Sequence, residues 1–129
     1  MKKSILTNCI RIGLQHLPNH PQFDCYKHFS FIIQRDAIIE WGTNRSGPPI
    51  VGYRPWMKFH SENQAYFRAK GLLRRNESFE TVNIRFNKSG KMLLSKPCKC
   101  CVSFLKFLGC RSIWFSTCAG FARLQLKNS

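Results

Sequence analysis

The order in which periodic segments follow one another along the chain, α-β-β-α-β-α-β-β, leaves few folds open. Ile5, Leu6, Cys9, Ile10, Gly13, Leu14 and Leu17 recur at helical spacing, and Pro18 and Pro21 close that stretch. Residues 28–34 and 37–42 are apolar and β-prone, with Arg35 and Asp36 as a tight turn between them. A Gly- and Pro-containing loop follows at residues 44–53. Residues 60–73 turn helical, and Gly71 near their end offers a left-handed stop. Val82, Ile84 and Phe86 then alternate on one face of a strand, and residues 91–94 form a further short extended piece after the turn at 87–90. Pro97 stands at the start of a last helix over residues 98–108, which Gly109 ends. Residues 111–117 and 121–126 are strands. Helices interleaved with strands in this way call for a mixed five-stranded sheet covered on both faces, a three-layer α/β/α architecture. The 129 residues suit one such domain, 1–129.

Only Cys118, Ala119 and Gly120 separate the last two strands. A parallel crossover needs about a dozen residues or more, so these two strands must form an antiparallel hairpin.

Composition speaks about partners. The chain carries 21 Lys+Arg against 6 Asp+Glu, a formal charge of +15. A phosphate-bearing ligand is the simplest use for that excess, because each cation near a phosphate releases a counterion. A merely solubilising surface is the plainer alternative. Seven cysteines are present, an odd number, and three of them fall within Cys98–Cys101. Disulfide scaffolds spread their cysteines, so this clustering favours a reducing, intracellular setting and metal ligation. Asn8 and Arg11 interrupt any export signal, and no apolar run approaches the length of a membrane span, so no membrane partner is expected.

Two short segments carry the chemistry: His60-Ser61-Glu62 and Pro97-Cys98-Lys99-Cys100-Cys101. Cys98 and Cys101 are three apart at a helix start, which places both sulfurs on one side of its first turn. Thiolates there suit Zn2+, and the positive end of the helix stabilises them. A lone C-x-x-C is equally compatible with a redox pair, half of a structural zinc site or packing. A lone H-x-E carries little information. Together, in this order and each opening a helix, they point to His60, Cys98 and Cys101 as three ligands of a zinc ion with its fourth position open, the mark of a catalytic site. Glu62, two residues from His60, is the candidate proton shuttle. Cys100 faces away and is read as packing, Cys9 and Cys110 as core residues. His16, His20 and His28 are read as surface or capping residues.

The pair H-x-E and P-C-x-x-C resembles the signature of the zinc-dependent cytidine deaminase-like superfamily, whose members remove an amine from cytosine or adenine. The resemblance runs from about Ile5 to Leu126, and only the two metal segments are highly specific. It implies that Asn44, just past the second strand, contacts sugar or base, although a loop residue capping a turn is an equal reading. It implies that the Ser61 N–H and the carbonyl near Lys96 read the base edge. An aromatic wall is also implied, with Phe29, Phe31, Tyr53 and Trp56 as candidates. Relatives of this kind commonly associate, so a homo-oligomer is a further expectation. The closing hairpin is closer to free-cytidine and toxin-like deaminases than to branches with a helix between those strands.

A free nucleoside has no use for +15. Arg45, Arg54 and Lys58 precede His60, with Tyr53 and Trp56 interleaved in a manner suited to stacking on an unpaired base, and Lys88, Lys91, Lys96 and Lys99 surround the cysteine motif. The expectation is therefore a zinc-dependent hydrolytic deaminase converting cytosine to uracil on a nucleotide or single-stranded nucleic acid. Adenosine deamination on RNA is one alternative. A non-catalytic, zinc-containing nucleic-acid-binding protein is the other, and a carboxylate beside the open metal position argues against it.

Overall fold

The computed structural model describes residues 1–17, 26–43 and 61–126. Six strands, β1 (Tyr26–Gln34), β2 (Ala37–Thr43), β3 (Phe79–Asn87), β4 (Met92–Leu93), β5 (Cys110–Thr117) and β6 (Gly120–Gln125), form one sheet. Its order is β2-β1-β3-β5-β6, with β4 paired to the end of β3. Helix α1 (Lys3–Gln15) packs on one face, and α2 (Ser61–Ala69) and α3 (Lys99–Phe107) cover the other. The architecture is three-layer α/β/α, as the element order requires, with six strands rather than five. The extra strand is the extended piece at 91–94, where Met92 and Leu93 pair with Phe86 and Arg85.

Strands β1 and β2 are antiparallel, and Arg35 (φ 51°) and Asp36 (φ 57°) make the two-residue turn between them. Two successive left-handed residues are what a tight right-twisted hairpin demands. Strands β1 and β3 are antiparallel, β3 and β5 parallel, and β5 and β6 antiparallel, closed by the short turn at 118–119. The antiparallel hairpin demanded by the three-residue spacer is present.

The α1 face of the sheet is apolar. Phe29, Phe31, Val82, Ile84 and Phe86 are all 0% exposed there, beneath Ile5 and Cys9 of α1. Each fully buried side chain of this size stabilises the fold by about 1.5–3 kcal/mol, so this layer carries much of the stability. Gly13 allows α1 to lie close, since a Cβ there would stand 2.7 Å from Cε2 of Phe86.

The opposite face mixes apolar and polar groups. Ile32, Ala65, Ala69, Phe79, Leu105, Cys110 and Ile113 form its core, while Ser30, Thr81 and Asn83 are buried beside them. Helix α2 starts where this polar patch lies and ends at Ala69. Gly71 is not left-handed and is not its stop, and the left-handed residue of the following loop is Asn76 (φ 62°). Gly109 (φ 99°) does follow the end of α3, as its sequence position implies. Among the described residues, no helix is long and apolar enough to cross a membrane.

Candidate active site

The parallel strands β3 and β5 stay paired only as far as Asn83 and Phe115. Beyond that point the chain after β4 enters between them: Ser95 N–H donates to Ser116 O at 3.0 Å, and Ser95 Oγ donates to Asn83 O at 2.9 Å. The wedge brings Lys96, Pro97 and Cys98 to the carboxyl ends of the strands, the usual place for a ligand site in a sheet of this kind. Helices α2 and α3 both begin at this end. A cavity of about 280 Å3 results, bordered by residues of β1 (His28, Phe29), α2 (Ser61, Glu62), β3 (Asn83) and the wedge (Ser95, Lys96, Pro97, Cys98). It lies at the small end of ligand pockets, on the order of 300 Å3.

Helix α2 is fixed over the site by close approach to β2. A Cβ on Gly42 would stand 2.5 Å from Ala65 N and 2.9 Å from Ser61 O, so only glycine admits the helix there. The buried Gln64 accepts from Thr43 N–H through Oε1 at 2.7 Å, and Arg68 donates to Trp41 O at 3.1 Å. These contacts fix α2 from its first turn to its last, and with it Glu62.

Glu62 is 6% exposed, and both of its oxygens are held. Ser61 Oγ donates to Oε1 at 3.0 Å, and Asn83 Nδ2 donates to Oε2 at 3.2 Å. Ser30 Oγ in turn donates to Asn83 Oδ1 at 2.8 Å and lies 2.7 Å from Ser61 Oγ. Four side chains from β1, α2 and β3 thus form a ring of polar contacts around the carboxylate, of which three can be hydrogen bonds at once because each serine carries a single hydroxyl hydrogen.

Cys98 is the extended residue that precedes α3 (φ −73°, ψ 163°), and Cys101 lies in its first turn. Pro97 therefore stands one position outside the helix. The thiol of Cys101 is buried, hydrogen-bonded to Cys98 and in contact with Glu62, and its Sγ lies 3.9 Å from Asn63 Oδ1. The two distant segments of the sequence meet here. Burial pushes the Cys101 thiol well above its ordinary pKa, and the neighbouring Glu62 carboxylate and Cys98 thiol push it further. Two thiols and a carboxylate crowded together repel as anions, and a divalent cation relieves that repulsion. Paired sulfur donors at the positive end of a helix fit zinc. Among the described residues, no three His, Cys, Asp or Glu side chains form a metal-binding group. The third expected ligand, His60, lies outside the described residues, as do Asn44, Tyr53 and Trp56.

Several other expectations meet the structure here. Cys100 is exposed rather than packed, because its position on α3 faces away from the sheet. Cys9 and Cys110 are core residues, and burial pushes their thiols up to about 12 and about 11. His16 caps α1, with its ring Nδ1 2.9 Å from Ile12 O. His28 borders the cavity and is not a plain surface residue. Of the aromatic candidates, Phe29 borders the cavity while Phe31 belongs to the core under α1. Lys96 borders the cavity, and Lys88, Lys91 and Lys99 are exposed. Asn83, Ser30 and Ser95 escape the motif because they are single polar residues within extended segments.

The fold is similar to the crystal structure of cytidine deaminase from Mycobacterium leprae, with a TM-score of 0.52 and 12% sequence identity. The match covers 93% of this chain and 90% of that chain. No protein-family model matches the sequence, and no curated protein does. What the likeness defines is the architecture, that of a cytidine deaminase, including the hairpin at its end.

Proposed function

We propose that the chain is a zinc-dependent hydrolytic deaminase that converts cytosine to uracil on a nucleotide or a single-stranded nucleic acid. The observation that carries this reading is a buried carboxylate, Glu62, held on both oxygens and lying against the Cys101 thiol, which is itself hydrogen-bonded to Cys98, at the wall of a small cavity. A structural metal site needs no such group. Zinc held by His60, Cys98 and Cys101 supplies Lewis-acid activation of water at neutral pH.

The protein's own residues do the rest. Glu62 accepts a proton of the attacking water and delivers it to ring N3, then takes the remaining proton of the hydroxyl now on C4 and passes it to the amine, which leaves as ammonia as the C4 carbonyl forms. Ser61, first residue of α2, has a backbone N–H with no acceptor inside the helix, which suits it to the base edge. The carbonyl at Lys96 serves the exocyclic amine, Asn44 the sugar, and Tyr53 and Trp56 the face of the base. His28 and Phe29 join that wall. The charge of +15, with Lys96 at the cavity and Lys88, Lys91 and Lys99 on the surface, favours a substrate carrying phosphate.

An ammonia-release screen of the zinc-loaded protein tests this reading, with cytidine, dCMP, single-stranded DNA and single-stranded RNA at two salt concentrations. Turnover of a phosphate-bearing substrate that falls steeply with salt supports it. Turnover of free cytidine alone removes the phosphate requirement, and no turnover of any substrate removes the function.

A further inference from the structure

We propose that Ser30 is a positioning residue for Glu62, whose hydroxyl fixes the direction in which the carboxylate faces the cavity. Its activity arm rests on the deaminase reading above; its structural arm does not. Ser30 is 0% exposed and does not border the cavity, so it cannot touch a substrate. Asn83, Ser61 and Glu62 do border the cavity.

The amide of Asn83 has a donor end and an acceptor end of nearly equal shape. Its donor end serves Glu62 Oε2 at 3.2 Å, and its acceptor end takes the Ser30 hydroxyl at 2.8 Å. Without that hydroxyl only the Glu62 carboxylate distinguishes the two ends. A reversed amide sets Oδ1 against a carboxylate oxygen, two acceptors facing each other, and the carboxylate must swing away. Ser30 Oγ also lies 2.7 Å from Ser61 Oγ, whose own hydrogen goes to Glu62 Oε1. Ser30 therefore holds the Asn83 donor by a hydrogen bond and stands in contact with the Ser61 donor. A serine on a strand buried on both faces is otherwise an unfavourable choice, since an apolar side chain of similar size needs no partner.

Ser30→Thr and Ser30→Val have nearly the same shape and differ in the hydroxyl, so damage from the added bulk is common to both. Each variant is loaded with zinc, its metal content measured, its crystal structure determined, and kcat and KM recorded on the substrate that the wild type turns over best. The expected result is a kcat about 10- to 100-fold lower for Ser30→Val than for Ser30→Thr, at equal KM and zinc content, from a displaced carboxylate. The Glu62 carboxylate is expected to leave its wild-type position in Ser30→Val and to keep it in Ser30→Thr. Equal kcat and an unmoved Glu62 in both variants overturn the proposal. A wild type inactive on every substrate, with Glu62 still displaced only in Ser30→Val, sinks the deaminase reading and leaves the positioning role standing. Ser30→Ala, which needs no extra room, makes the same comparison against wild type where the bulkier pair does not fold. A Glu62 unmoved in that variant likewise overturns the proposal.

Discussion

Asn83 Nδ2 donates to Glu62 Oε2 across 3.2 Å, tying the first turn of α2 to the middle strand of the sheet at the point where β3 and β5 part. Asn83 is 4% exposed and Glu62 6%, so little of either is open to water. Asn83→Ala leaves a buried carboxylate oxygen without its donor. The expected cost is about 1–3 kcal/mol in urea unfolding, together with a lower kcat for ammonia release. An unchanged unfolding midpoint in that variant removes the bond from the account.

The placing of the three clustered cysteines separates ligand from bystander. Cys98, Cys100 and Cys118 are exposed, whereas Cys101 is buried. Iodoacetamide is expected to modify the exposed three in chelator-treated protein. Added zinc should protect Cys98 and leave Cys100 and Cys118 reactive, as read by peptide mass mapping. Protection of Cys100, or none of Cys98, contradicts the assignment.

Gly42 sets how closely α2 approaches β2. A methyl group there meets backbone atoms, Ala65 N and Ser61 O, which cannot rotate aside. Gly42→Ala is expected to destabilise the fold by about 1–3 kcal/mol and to lower activity, since the displaced turn carries Glu62. Thermal unfolding and ammonia release read the two effects separately.

Acid sensitivity should trace in part to Glu80, far from the site. Burial raises its pKa, but donation from Ser112, Trp114 and Arg111, with the Arg111 charge, outweighs that and holds it below the ordinary value of 4.5. A lowered folded-state pKa means that the unfolded chain takes up the proton first. The stability from Glu80 is therefore complete above about pH 4.5 and is lost as pH falls through the lower folded value. Glu80→Gln should flatten the fall in guanidinium midpoint below that pH. A slope identical to wild type contradicts this.

Much of the architecture was legible in the sequence because spacing decides it. The three residues at 118–120 permit only a hairpin, and Arg35-Asp36 between two β-prone runs permits little else. The convergence of the segments around Glu62 and Cys98–Cys101 was legible as a motif. The ring that holds Glu62 was not. In the strand at 79–87, Val82, Ile84 and Phe86 define an apolar face, which leaves Thr81 and Asn83 looking solvent-directed. A three-layer fold buries both faces, and Thr81 and Asn83 are 0% and 4% exposed. Ser30 hides likewise among the aromatics of β1. The usable signal was a small polar residue within a strand already expected to be covered on both sides, where it must find a partner. Gly71 misled because composition marks a loop after α2 without fixing which residue turns left-handed; Asn76 does.

The role of Glu62 is tested most directly by the rate of ammonia release from Glu62→Gln at zinc content equal to wild type. The substitution keeps the shape and the Ser61 and Asn83 neighbours but cannot carry the proton. A loss of about 100-fold or more, with the metal retained, is the expected result. A variant that binds zinc normally and turns over at the wild-type rate contradicts it.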